Sequence, residues 1–98
     1  MNAIARQATV VAVKDQISCN VAEEAVILHI TTGTYFGLNE VGAAVWNLIQ
    51  SPRTVAEIVA ELQQRFEVSA DQCEADLLRL FQELDQAGLV QIQHGTAA

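Results

Sequence analysis

The sequence predicts an α+β domain in which a small N-terminal antiparallel sheet of three strands precedes a bundle of three helices. Up to Leu38 the apolar residues largely alternate with polar ones, as in half-buried strands. From Asn39 onward they recur every three or four positions, as in amphipathic helices. No repeat or low-complexity linker divides the 98 residues, so we expect a single domain over 1–98. This order of elements is that of a winged helix-turn-helix variant.

The strand half begins with "TVVAV" (9–13), followed by "ISCNVA" (17–22), in which Ile17, Cys19 and Val21 alternate with polar neighbours. Next come "VILHI" (26–30) and "TYFGL" (34–38), two β-prone segments separated by Thr32 and Gly33. Gly33 can take the positive φ of a tight turn, so we expect an antiparallel hairpin with a two-residue turn.

Both faces of this predicted hairpin carry apolar side chains. The turn places Leu28, Ile30 and Tyr35 on one face, whereas Ile27, Phe36 and Leu38 share the other. We expect one face to cover the helices. The other must be covered by "TVVAV", by a partner enzyme or by a peptide, because a monomer seldom exposes a large apolar patch.

Each predicted helix begins at a residue that can cap it. Asn39 caps the first helix, Thr54 and Glu57 form a capping box for the second, and Ser69 with Gln72 caps the third. Gly88 is placed to end the third helix in a left-handed conformation, and "LVQI" then forms a short closing strand. The inward positions are Val41, Val45, Trp46, Leu48 and Ile49 in the first helix, Val55, Ile58, Val59, Leu62 and Phe66 in the second, and Cys73, Leu77, Leu80, Phe81 and Leu84 in the third.

The charge of the chain argues against nucleic acid and anionic membranes as partners. Five basic residues against twelve acidic ones give a formal net charge of −7, which repels phosphate groups. The third helix, the groove-reading helix of a DNA-binding relative, carries one base, Arg79, among its acidic residues Asp71, Glu74, Asp76, Glu83 and Asp85. The apolar run at 8–13 is too short to span a bilayer and lacks the pattern of a secretory signal. We therefore expect a cytoplasmic protein whose partners are proteins or peptides.

The residues with reactive side chains form no catalytic or metal-binding pattern. Cys19 and Cys73 are far apart without a CxxC motif, so we expect buried structural thiols. His29 lies in a predicted strand and His94 in a polar tail, and neither has a nucleophile or carboxylate partner near it in the sequence. We therefore predict no enzyme activity, no catalytic residue, no metal and no cofactor.

Three segments together resemble a known family. They are "GTYFGLNEVGAAVW" (33–46), "RTVAEIVAEL" (53–62) and "DLLRLFQELDQAGLV" (76–90), and they occur in this order over most of the chain. The sequence is similar to the small PqqD-like proteins, also called RiPP precursor peptide recognition elements. The resemblance implies a non-enzymatic adaptor that binds the leader segment of a ribosomally made precursor peptide and presents it to a modifying enzyme or leader protease. The hairpin looks more like stand-alone members of lasso-peptide pathways than the member that serves pyrroloquinoline quinone synthesis.

The resemblance also implies a peptide-binding groove between the last strand of the hairpin and the third helix. Its strand wall would be Thr34, Tyr35, Phe36, Gly37 and Leu38, and its helix wall Ala75, Leu78, Arg79 and Gln82. The hairpin reasoning agrees, because the free edge of its last strand can accept a peptide as an added strand. Leu78, beside the predicted inward stripe, is equally well explained as the margin of the core.

Two other functions compete with the adaptor. An acidic winged-helix regulator or protein–protein dimerisation module has the same element order, but a regulator would need a basic wing or recognition helix. An enzyme would need a clustered nucleophile and base.

Overall fold

The computed structural model describes residues 6–93, and His94 lies outside this range. Six strands and three helices follow one another in these residues. They are β1 (Thr9–Ala12), β2 (Gln16–Val21), β3 (Glu24–His29), β4 (Tyr35–Leu38), α1 (Glu40–Leu48), β5 (Arg53–Thr54), α2 (Val55–Arg65), α3 (Ala70–Gln86) and β6 (Val90–Gln93). None of the helices in 6–93 combines the length and apolar character needed to cross a bilayer.

The strands form two antiparallel sheets of three strands each. The first sheet has the order β5-β1-β6 and the second has the order β2-β3-β4. The α+β class and the closing strand β6 are confirmed, whereas the likeness to a winged helix-turn-helix stays a prediction. A single N-terminal sheet was too simple, since β1 pairs with Val90–Gln93 near the other end of the described chain and with Arg53–Thr54. Alternation identifies a strand but not its partner, so β1 gave no sign of this pairing.

The β3–β4 hairpin is confirmed, but its predicted turn is wrong. Residues 30–34 connect the strands, and Leu28 pairs with Tyr35 and Ile27 with Phe36. Gly33 has φ +72°, as expected, and its N–H donates to the His29 carbonyl oxygen at 2.8 Å. The longer turn moves the register by two residues. Because side chains alternate with a period of two, each residue keeps the face that was predicted for it.

All three predicted helix starts are confirmed. The Asn39 side chain accepts from the Gly42 N–H at 2.9 Å, and the Ser69 hydroxyl oxygen accepts from the Gln72 N–H at 3.2 Å. Thr54 and Glu57 form the capping box. Its hydrogen bonds hold the pKa of Glu57 below its ordinary value. These caps fix where α1 begins after β4 and where α3 begins after α2.

The core lies between the helices, the first sheet and the inner face of the second sheet. Every helix contributes large, fully buried side chains to it, as do β1, β3 and the segment that leads into β6. These side chains are Trp46, Phe81, Ile27, Ile49, Ile58, Leu62, Leu84, Leu89, Val10, Val45 and Val55. In α1 the small residues Ala43 and Ala44 are buried, while the predicted inward residue Val41 is exposed. Leu48, Phe66 and Leu80 are half-buried at the margin.

The second sheet leaves one face uncovered, which we call the outer face. It carries the outward residues of the three strands: Ile17, Cys19, Val21, Glu24, Val26, Leu28, Tyr35 and Gly37. Ile17, Val21 and Tyr35 are 59%, 61% and 69% exposed. The prediction of a buried Cys19 is therefore wrong, whereas Cys73 is buried. "TVVAV" does not cover this face, because β1 belongs to the other sheet.

Candidate functional site

Strand β4 has a free edge, since within residues 6–93 it pairs only with β3. The His29 N–H donates to the Thr34 carbonyl oxygen at 2.9 Å, which makes this pair hydrogen-bonded. Hydrogen-bonded pairs alternate along an antiparallel ladder, so Phe36 and Leu38 direct their backbone groups toward β3. Tyr35 and Gly37 therefore direct their N–H and C=O groups toward the free edge.

A groove runs beside this edge, between β4 and α3. Its volume is about 450 Å³, and α1 and the C-terminal end of α2 close its floor. The lining is mostly apolar, with Phe36, Leu38, Val41, Val45, Leu62, Phe66, Val68, Leu77 and Leu80 joined by Gly37, Asn39, Gly42, Cys73, Asp76, Arg79 and Glu83. A volume of this size suits a few side chains of a ligand.

The charged residues of the groove lie along α3, where they are exposed at the rim. Arg79 Nη2 donates a hydrogen bond to Asp76 Oδ1 at 2.5 Å, and Gln72 Nε2 donates to the same oxygen at 3.0 Å. Glu83 lines the groove one turn further along α3. Since Arg79 is already paired with Asp76, the rim is on balance negative.

The single thiol of the groove is poorly suited to nucleophilic catalysis. Burial, followed by the nearby charges of Asp76 and Glu74, raises the pKa of Cys73 above its ordinary value. A reactive cysteine requires the opposite environment, because its nucleophilic form is the thiolate.

The structure brings four of the nine predicted site residues together in this groove. Phe36, Gly37, Leu38 and Arg79 line it. Tyr35 lies on the outer face, although its backbone belongs to the free edge, and Thr34 lies in the turn just before β4. Ala75 and Leu78 line a different cavity of about 350 Å³ together with Arg6, Asp71 and Glu74. Gln82 is exposed and lines neither of these two cavities.

Of the predicted helix wall, Arg79 lines the groove, whereas Ala75 and Leu78 lie on the opposite flank of α3. Periodicity correctly identified the buried stripe that contains Cys73, Leu77, Phe81 and Leu84. A stripe has two flanks, and the sequence does not say which flank faces the hairpin. The flank in the groove carries Asp76, Arg79, Leu80 and Glu83, and the prediction placed only Arg79 of these in the helix wall.

Sequence reasoning also missed groove residues outside α3. Val41 lies in the first turn of α1, and Phe66 and Val68 lie at and just beyond the end of α2. Two apolar residues in a short connection between helices were a usable signal, because such connections are normally polar.

We compared the chain with known protein sequences, solved structures and protein families. No curated protein sequence matches the chain significantly. A solved structure described as "TbiB1 in Complex with the TbiA(beta) Leader Peptide" is similar, with 31% sequence identity and a TM-score of 0.76 over 90% of this chain and 99% of that one. The model of the family described as coenzyme PQQ synthesis protein D (PqqD) matches residues 24–90, which include the β3–β4 hairpin and all three helices. The chain therefore belongs to the PqqD family.

Proposed function

We propose that this protein binds the leader segment of a ribosomally synthesised precursor peptide in the groove between β4 and α3. The observation that carries the proposal is the free edge of β4 beside an apolar groove. The similar TbiB1 structure, which was solved with a leader peptide, supports the same function. The role is that of a non-catalytic adaptor that presents the peptide to a modifying enzyme or leader protease.

Binding occurs by addition of the leader as a strand at β4. The Tyr35 and Gly37 backbone groups supply hydrogen bonds that do not depend on the leader sequence. Side chains of the added strand alternate between two faces. Those on the inner side, level with Phe36 and Leu38, enter the groove and contact apolar residues such as Val41 and Leu80. This apolar contact selects the leader.

The acidic rim adds a charge preference. Because Arg79 pairs with Asp76, the charge of Glu83 gives the rim its preference for a leader that carries a basic residue next to its apolar anchors. The pathway, of the lasso-peptide or the quinone-cofactor type, is fixed by the precursor that fits this groove. The adjacent genes should encode that precursor together with its modifying enzyme or protease.

The strand addition is tested by two substitutions at one position, Gly37→Pro and Gly37→Ala. Proline removes the N–H that points to the free edge, whereas alanine keeps it and places its Cβ where no atom lies within 4 Å. We expect Gly37→Pro to weaken leader binding about tenfold or more, because a lost hydrogen bond is combined with a bulky ring at the contact. Gly37→Ala should change the affinity less than about twofold.

The measurement is fluorescence anisotropy with the labelled leader segment of the precursor encoded beside the gene. Equal affinities of the two variants would contradict strand addition at β4. Proline at Phe36 does not test this point, because the Phe36 N–H faces β3 and its loss would disrupt the hairpin itself.

The groove wall is tested by the same substitution on the two flanks of α3. Leu80 lines the groove and Leu78 lines the other cavity, and both are half-buried. Leu80→Glu places a charge among apolar residues that the leader must cover, so we expect it to weaken binding about tenfold or more. Leu78→Glu should leave the affinity within about twofold. The reverse result would move the site to the opposite flank of α3.

A further inference from the structure

The outer face of the β2–β3–β4 sheet has no role in the groove, yet it is the most apolar exposed surface of the described residues. Five of the six large exposed hydrophobic residues belong to this sheet or its turn: Ile17, Val21, Val26, Ile30 and Tyr35. Strand β2, "QISCNV", has no charged residue or proline, although it is an edge strand. Edge strands normally carry such residues to prevent pairing with other chains.

We propose that this outer face docks the enzyme that processes the bound leader peptide, through an apolar surface with basic side chains at one border. This inference rests on the proposed function, because it places the partner of the same β4 strand. The outer face adjoins the free edge of β4, because Tyr35 and Gly37 lie on that face and direct their backbone groups toward that edge. A leader strand added at β4 would extend the outer face to four strands, so the partner would contact protein and peptide together.

The size of the face argues against a second copy of this chain as the occupant. The outer face is about six residues long and three strands wide. At about 3.3 Å per residue and about 4.8 Å between strands, its flat area is roughly 280 Å². A stable interface needs about 800 Å² from each partner. The face alone is therefore too small for a stable dimer, and the protein's net charge of −7 opposes self-association. A processing enzyme needs only a transient contact, which can be smaller than a stable dimer interface, and the bound leader would add a fourth strand to the face.

The negative charge at one end of the face indicates that the partner carries positive charge at the matching position. Glu23 and Glu24 lie at the β2–β3 turn, and Glu40 lies close enough to Glu23 for the two carboxyl groups to interact. The hydrogen bond from Glu23, together with its negative charge, raises the pKa of Glu40. Basic side chains of a partner would relieve this repulsion, so we expect Lys or Arg at its matching border.

The proposal is tested with Val26→Lys in the middle of the outer face and Ala60→Lys on the exposed side of α2 as a control with the same charge change. The probe is the purified protease or modifying enzyme encoded beside the gene, together with its precursor. We expect Val26→Lys to lower the processing rate at least tenfold and Ala60→Lys to lower it less than twofold. Leader affinity without enzyme should stay unchanged in both, which separates this inference from the proposed function. Normal processing by Val26→Lys would overturn the inference.

Cys19 provides an independent measure of contact, because it is exposed at the centre of β2 whereas Cys73 is buried. We expect maleimide alkylation of Cys19, followed by mass spectrometry, to slow at least fivefold when enzyme and leader are both present. Protection should be weaker with enzyme alone, because the peptide supplies part of the interface. Unchanged alkylation in the full mixture would overturn the inference. Protection without enzyme, together with a dimeric mass in sedimentation, would identify a second copy as the occupant and also overturn it.

Discussion

The two sheets of this protein have the same number of strands but use their faces differently. In the first sheet, Ala8, Val10 and Ala12 of the β1 segment are buried in the core, and the neighbouring strands come from distant parts of the chain. In the second sheet, Ala25, Ile27 and Leu38 are buried, while the opposite face stays exposed. The first sheet joins the two ends of the described chain, whereas the second sheet leaves a whole apolar face uncovered.

Helix α1 connects the two sheets. It packs against β3 and β4 of the second sheet. At its C-terminal end, the Ile49 carbonyl oxygen accepts from the Ala12 N–H of β1 at 2.8 Å. The largest side chain of this helix, Trp46, is 1% exposed. A change at Trp46 should therefore affect both sheets.

The largest effect on stability is expected for Trp46→Ala. Removing this buried indole should lower the free energy of unfolding by about 3–5 kcal/mol, most of the margin of a small domain. The indole Nε1 is buried without an acceptor among residues 6–93, so Trp46→Phe loses no such hydrogen bond and should cost clearly less than Trp46→Ala, because a phenyl ring still fills most of the site. Urea denaturation followed by circular dichroism measures both values. A Trp46→Ala protein that melted within a few degrees of the parent would contradict this role of α1.

The second prediction compares valines of the two sheets directly. Val10 of β1 is 0% exposed and Val21 of β2 is 61% exposed. Val10→Ala should cost about 2–3 kcal/mol, since it removes two buried carbon atoms and leaves a cavity. Val21→Ala should stay within about 0.5 kcal/mol of the parent. The same denaturation experiment measures the pair. Similar costs at the two positions would mean that the outer face contributes to folding, and the division between the sheets would fail.

The sequence predicted local structure well because local structure depends on nearby residues. The caps at Asn39, Thr54 and Ser69 and the left-handed Gly88, with φ +74°, each require only a few neighbouring positions. The resemblance identified the correct family, and alternation assigned the correct faces to the hairpin. These successes rest on short windows of sequence, although the local prediction of a two-residue turn failed and residues 30–34 connect the strands.

Long-range geometry could not be predicted in the same way. The pairing of β1 with β6 joins segments about eighty residues apart, and no periodicity encodes it. The flank of α3 that forms the groove depends on how the helix is rotated against β4, so Leu80 was missed and Leu78 was chosen. Cys19 is exposed although free cysteines are usually buried, because β2 has no layer above its outer face.

The smallest expected effect concerns backbone strain in the second sheet. Ala22, in the β2–β3 turn, has φ +58°, a left-handed conformation that side chains with a Cβ rarely adopt. This conformation costs an L-residue about 1–2 kcal/mol, and glycine avoids that cost but loses about 0.5–1 kcal/mol of entropy. Ala22→Gly should therefore stabilise the protein by about 0.5–1 kcal/mol, which raises Tm by roughly 2–8 °C in a domain of this size.

The control for Ala22→Gly is Asn20→Gly, two residues earlier in the regular part of β2. Glycine there relieves no strain, so it should lower the free energy of unfolding by about 0.5–1 kcal/mol. Opposite signs at two exposed positions only two residues apart would show that the strain is local to the turn that carries Glu23. Strain of this kind tends to be retained where a surface has a function, because folding alone favours its removal. If both substitutions destabilised the protein equally, the β2–β3 turn would store no strain, and the second sheet would differ from the first only in its exposed face.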